Sequence, residues 1–230
     1  LGVSTDTDDR EGTVIAERPT DGITPEGIAA CAAKLTGEIS QQPPVYSALK
    51  VKGRRASDRA RKGESVELRP RMIRVHDFEI IGTDLESGRF TFRVHCTKGT
   101  YVRSLARDLG EMLGTGGHLE SLRRTAAGLF SIDHAVTVEE LEDCARGEGP
   151  DRPFRLSPAE ALANYGRIVA GRGAREKVLN GSLFHRDGAV AIDDRGGKTF
   201  IIMDENENLI AIADVDIQKW HIKYLNVFNY

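Results

Sequence analysis

No apolar run in this 230-residue sequence approaches the ~18 residues that a membrane-spanning helix needs, and no charged-then-apolar leader opens it, so a cytoplasmic location is expected. The three cysteines, Cys31, Cys96 and Cys144, are odd in number and far apart, which excludes a disulfide framework or a paired zinc spacing. The six histidines are equally scattered, with no His-x-x-x-His or His-x-x-Glu-His among them, so no metal site is expected. Aromatic residues make up only 6% of the chain, which argues against a platform on which single-stranded bases stack. The sequence opens on Leu1 rather than Met, and Leu1-Gly-Val-Ser-Thr reads as the end of a strand already under way, so residues upstream are expected.

What is present describes an ordinary water-facing protein, with 40% apolar and 29% charged residues. The length suits one large domain and one small one, expected at 1–153 and 154–230. The net charge of -3 conceals a division. Between Lys50 and Arg74 ten basic residues face three acids, and between Arg89 and Arg124 seven face three. The rest of the chain is correspondingly acidic. Charge sorted in this way is the footprint of phosphate-backbone binding, with a solvated charged face as the alternative. With so few aromatics, folded RNA read by shape fits better than a single strand.

Local patterns place the elements. Thr24-Pro25 opens a helix with Ile28, Cys31, Ala32 and Leu35 on one face, ended by Gly37. Pro43-Pro44 makes 41–49 an extended loop leading into the basic segment. Strand character runs from Arg71 to Ile81. Phe90, Phe92, Val94 and Cys96 then alternate with Arg89, Thr91, Arg93 and His95, the clearest strand in the chain. A helix with Val102, Leu105, Leu109, Met112 and Leu113 on one face follows, closed by Gly114, Gly116 and Gly117. Thr137-Val138-Glu139-Glu140 is a capping box that should turn Leu141 inward, Arg146 to Pro153 reads as a linker, and Ser157-Pro158 caps a short helix. From Ile168 the texture changes to short strands at Val190–Ile192, Phe200–Met203, Leu209–Val215 and Ile222–Phe228, a small β domain.

The strand-turn-helix at Lys98 to Arg103 lets a backbone approach a ligand closely at Gly99, with Tyr101 and Arg103 at its edge. A structural turn, with Tyr101 in the core and Arg103 on the surface, is the plainer alternative. The segment Pro44-Val45-Tyr46-Ser47-Ala48-Leu49-Lys50, followed by Gly53-Arg54-Arg55-Ala56 and Ala60-Arg61-Lys62-Gly63, resembles the TruB family of tRNA pseudouridine synthases. So do Thr5-Asp6-Thr7-Asp8-Asp9-Arg10-Glu11-Gly12, Cys96-Thr97-Lys98-Gly99-Thr100-Tyr101-Val102-Arg103, Asp108-Leu109-Gly110, Gly117-His118-Leu119 and Leu122-Arg123-Arg124-Thr125. The blocks fall in family order.

The resemblance implies an α+β fold: a pseudouridine synthase mixed sheet with flanking helices, truncated at its front, and a small C-terminal PUA-like β-barrel. It implies a cofactor-free isomerisation of the T-loop uridine at position 55 of tRNA, by a monomer that takes the T-stem-loop as partner. The family nucleophile is an aspartate in a Gly-x-Leu-Asp-Pro-x-Ala-Thr-Gly loop, which residues 1–230 do not contain. A non-catalytic tRNA-binding or folding module is therefore the alternative. The matched catalytic positions are Tyr101, a second active-site tyrosine, Arg103, the arginine paired with the nucleophile, and Leu122, an apolar contact to the base. Arg103 is accordingly expected to be unpaired in this chain. Tyr46, Lys50, Lys52, Arg54, Arg55, Lys98, His118, Arg123 and Arg124 are the expected RNA contacts.

Overall fold

The computed structural model describes residues 1–149 and 155–229, and its backbone contacts separate two units, Leu1–Arg123 and Arg124–Tyr230. In the first unit, strands β1 (Val3–Thr5) and β2 (Val14–Glu17) form a short antiparallel ribbon. Helix α1 (Pro25–Lys34) starts where expected, with the Thr24 hydroxyl accepting from the Gly27 N–H at 3.1 Å. Gly37, at φ +98°, turns the chain from this helix into β3 (Gly37–Gln41) through a conformation that costs a glycine little. The basic segment forms a hairpin of β4 (Lys50–Val51) and β5 (Arg54–Arg55), followed by the single-turn α2 (Ala56–Ala60).

Strands β6 (Arg71–Asp84) and β7 (Arg89–Cys96) complete an antiparallel sheet of order β3-β6-β7, with β6 running on past the expected Ile81. Along β7 the alternation holds: Phe90, Phe92, Val94 and Cys96 pack toward the core while Arg89, Thr91, Arg93 and His95 are exposed. Helix α3 (Val102–Met112) lays Leu105 and Leu109 against Ile28, Cys31 and Leu35 of the α1 segment and Ile73, Val75 and Phe78 of β6. Leu105 and Leu109 are fully buried, each contributing about 2 kcal/mol of transfer free energy. Outside the named strands, a parallel bridge pairs Asp9 with Leu119, with the Leu119 N–H donating to the Asp8 carbonyl at 3.0 Å and the Arg10 N–H to the Leu119 carbonyl at 2.9 Å.

The second unit opens with a hairpin of β8 (Ala126–Ala127) and β9 (Phe130–Ser131) and then α4 (Val138–Arg146). Both halves of the capping box on Thr137 and Glu140 are made, and Gly147 ends the helix at φ +82°. Leu141 is a correction: it is 49% exposed rather than turned inward, because one leucine on a short charged helix does not fix which face is covered. The remainder of the expected linker, 150–153, lies outside the described residues. A second capping box, Ser157 with Glu160, starts α5 (Pro158–Ala161).

The sheet of this unit is built from β10 (Gly166–Ala170), β11 (Ala189–Asp193), β12 (Thr199–Asp204), β13 (Leu209–Asp216) and β14 (His221–Val227), with α6 (Arg172–Leu179) between the first two. Its order is β11-β10-β12-β13-β14, and β10 pairs with β12 in parallel. The barrel expectation meets an open sheet here, with β11 and β14 at the edges. Ile168, Val178, Phe200, Ile202, Ile210 and Ala211 form the core.

Asp204 closes the β12–β13 turn. Its carboxylate is buried and accepts from the backbone N–H groups of Asn206 and Asn208, from Asn208 Nδ2 and from Arg175 Nε at 3.2 Å. Burial pushes its pKa up, but the donors from Asn208, Arg175 and Asn206 outweigh it and hold the carboxyl below the usual range. A folded-state pKa below the unfolded ~3.9 gives stability that is present above that value and lost as pH falls through the folded one. Melting temperature should thus drop below pH ~4, with Asp204→Asn flattening that acid limb while lowering stability at pH ~7 by about 2 kcal/mol. Identical acid limbs for the two proteins in a melting series would refute the assignment.

Candidate functional site

The turn after β7 is drawn tight by Thr100, whose hydroxyl donates to the Thr97 carbonyl at 2.9 Å, and by Gly99 at φ +88°. It delivers Tyr101 to the N-cap of α3 in an extended conformation, φ -101° and ψ 108°. That peptide is gripped from across the unit. Gln41, at the end of β3 and only 1% exposed, donates from Nε2 to the Tyr101 carbonyl at 3.0 Å and accepts the Tyr101 N–H on Oε1 at 2.9 Å. One side-chain amide thus satisfies both polar groups of one residue, as a strand partner would. Sequence reasoning assigned nothing to Gln41, which sits at the start of a proline-rich loop with no local sign of its partner.

Arg103 lies two residues further on. Its guanidinium donates from Nη1 to the Thr7 carbonyl at 3.1 Å and from Nη2 to the Tyr46 carbonyl at 2.9 Å. Two loops thus supply carbonyls to its planar fork, hydrogen bonds that the expectation of a missing carboxylate partner did not foresee. Both partners are neutral, and no carboxylate among the described residues lies within ion-pair distance of it. Its positive charge is felt by the Asp8 carboxylate nearby, which it pulls down against the effect of burial.

The next turn of α3 completes the anchorage. Arg107 pairs with Asp8 at 2.8 Å and with Asp108 at 2.8 Å, and donates to the Gln42 carbonyl at 2.9 Å, which also accepts from Ser104 Oγ at 2.9 Å. Burial pushes the carboxyls of both Asp8 and Asp108 up, against the pull of the shared Arg107 cation. Asp8 stands at φ +57°, an unusual backbone for a residue with a Cβ. His118, half-buried, meets the Val3 carbonyl through Nδ1 at 2.9 Å. The 5–12, 41–47, 101–108 and 117–119 blocks, separate in sequence, are thus tied into one place.

From Tyr46 the chain runs directly into the basic hairpin, which Ala56 N–H to Leu49 at 2.7 Å and Ser57 N–H to Ser47 at 3.1 Å hold against the same segment. Lys52 at φ +51° and Gly53 at φ +82° form its tip, the signature of a type I′ turn. Lys50, Lys52, Arg54 and Arg55 all point to solvent around that tip. The structure accordingly brings the Tyr46 carbonyl to the Arg103 guanidinium, two residues on from Tyr101, and puts the hairpin cations next along the chain. Lys98, Leu122 and Arg123 are exposed, Leu122 at 63%, and Lys98 and Arg123 make no side-chain hydrogen bond among the described residues. Arg124, also exposed, begins the second unit.

Among the described residues no three His, Cys, Asp or Glu side chains converge as metal ligands, and no helix is long and apolar enough to cross a membrane. Residues 1–102 match the model of the TruB family pseudouridylate synthase N-terminal domain, and residues 103–162 match the tRNA pseudouridylate synthase B C-terminal domain. The chain is 36% identical over 239 residues to tRNA pseudouridine synthase B of Prochlorococcus marinus, covering 100% of this chain and 75% of that protein. It is 44% identical over 220 residues to the protein of that name from Ralstonia pickettii, covering 93% and 68%. With the one from Thermobifida fusca it is 50% identical over 147 residues, covering 61% of this chain and 50% of that protein. A solved Cbf5-Nop10-Gar1 complex shares the fold at TM-score 0.66 and 23% identity, over 91% of this chain and 63% of that one. The chain spans half to three quarters of the length of these relatives. It belongs to the TruB family of pseudouridylate synthases.

Proposed function

We propose that the full-length protein carrying this chain is a tRNA pseudouridine synthase, which isomerises the T-loop uridine by detaching the base, turning it and rejoining it through carbon. The observation that carries this reading is the convergence of the Thr7 and Tyr46 carbonyls on the Arg103 guanidinium, by which hydrogen bonds draw three family blocks, 5–12, 44–50 and 96–103, to one point. The names of the relatives favour a synthase over a non-catalytic tRNA-binding module. In this reading Arg103 keeps the nucleophilic aspartate of the family ionised and aimed, since a guanidinium within ~4 to 6 Å of a buried carboxylate favours its charged form. Tyr101 and Leu122 contact the uracil, which is flipped from the loop at a cost of about a few kcal/mol, offset by backbone contacts.

Those backbone contacts are assigned to Tyr46, Lys50, Lys52, Arg54, Arg55, Lys98, His118, Arg123 and Arg124, with the PUA-like second unit adding RNA surface. The enzyme acts as a cytoplasmic monomer with no cofactor. Release of the carbon-5 hydrogen from T-loop uridine by the full-length protein is the direct test, and its absence would overturn the reading. Reversing two of the hairpin charges, Arg54→Glu with Arg55→Glu, should reduce the slope of log affinity against log salt by about 2. An unchanged slope in a filter-binding titration would return the hairpin to an ordinary solvated face.

A further inference from the structure

We infer that Gln41 is a positioning residue for the reaction, acting through Tyr101. The inference rests on the synthase reading above and assigns a role to a residue that contacts no substrate. The N-cap of a helix leaves its first backbone donors, its own N–H among them, without intrahelical partners, and only its carbonyl enters the helical ladder, here by accepting from Leu105 N–H at 3.2 Å. Tyr101 supplies no side-chain cap. The two peptides that flank it are both held by one buried amide, which donates to its carbonyl at 3.0 Å and accepts from its N–H at 2.9 Å.

The two bonds together fix more than either alone. A single contact would hold only one of the two peptides that flank Tyr101, whereas a donor and an acceptor on one rigid amide hold both and so fix the backbone on either side of its Cα. Gln41 is itself held, because it ends β3 with its backbone paired to Arg71 of β6. The sheet therefore dictates where the Tyr101 ring starts. The same helix turn carries Arg103, so the phenol and the guanidinium share this reference. Misplacement of a reacting group by about 1 Å is enough to cost a hundredfold in rate.

Gln41→Glu separates this role from simple packing. A protonated carboxyl has the amide's shape and keeps one donor and one acceptor, so it reproduces both bonds. An ionised carboxylate has acceptors only and faces the Tyr101 carbonyl with repulsion. In the full-length protein, the ratio of variant to wild-type kcat should be near one at pH ~6 and fall by about tenfold or more by pH ~8.5, while tRNA affinity stays within about threefold. A ratio that does not change with pH, whether high or low, overturns the inference. In the chain itself, the Tyr101 amide NMR resonance of Gln41→Glu should titrate over the same range, with that of wild type stationary. A stationary peak in the variant overturns the hydrogen-bond assignment whatever the activity shows. A wild-type enzyme that releases no carbon-5 hydrogen sinks the synthase reading and the catalytic half of this inference with it, while the resonance still judges the bonds.

Discussion

Arg103→Ala in the full-length protein is expected to cut T-loop isomerisation by at least about a thousandfold, roughly 4 kcal/mol of barrier, while tRNA affinity stays within about tenfold. Two losses act together. In the proposed mechanism the nucleophilic carboxylate loses the cation that keeps it charged, and in the structure the carbonyls of Thr7 and Tyr46 lose the fork that ties their loops to α3. Arg103→Lys should rescue little, because a single ammonium does not present the planar fork that reaches both carbonyls and a carboxylate at once. The affinity should be spared because the proposed phosphate contacts are other residues, the hairpin cations first among them. Near-normal hydrogen release by either variant would remove Arg103 from the mechanism, and a matching collapse of tRNA affinity would make it a binding residue instead.

Gly110→Ala should destabilise the first unit by about 3 kcal/mol or more, measured as a drop in urea midpoint. An added Cβ would stand 2.4 Å from the carbonyl carbon and oxygen of Gly116 and 2.6 Å from the nitrogen of Gly117. These are backbone atoms, unable to swing aside as a side chain would. The Gly110 carbonyl also accepts the N–H groups of Thr115 and Gly116, both at 3.0 Å, so separating the two segments breaks these bonds as well. Gly114→Ala supplies the contrast. Nothing lies within 4 Å of its Cβ position, and only its φ of +79° opposes the change, at a cost of about 1 kcal/mol. Equal midpoints for the two variants would show that close approach is not what Gly110 provides.

Elements whose cause is local were legible in the sequence. The cap of α1 at Thr24, the alternation along β7 and the capping boxes at Thr137 and Ser157 each depend on residues a few positions apart, and each is present. The family blocks named Tyr46 and Arg103, and a hydrogen bond joins the carbonyl of one to the guanidinium of the other. What holds them was not legible. Gln41 meets Tyr101 across 60 positions and Arg107 meets Asp8 across 99, and no periodicity connects residues so far apart. Neutral carbonyls as the partners of Arg103 were equally hidden, since every residue carries one. Helix α6 went unread because only Ala174 and Val178 of its eight residues are buried, too thin a stripe to signal a helix.

The Lys52-Gly53 tip has an implication of its own. Glycine enters the left-handed region freely, but lysine does so under strain, and asparagine is the residue that such a two-residue connection ordinarily favours. A chain selecting for hairpin rigidity alone would put asparagine at 52. In the proposed RNA contact, an ammonium held there at the expense of local comfort is a charge displayed on a two-residue turn, placed before the polyanion arrives, so that little further ordering is needed when it does.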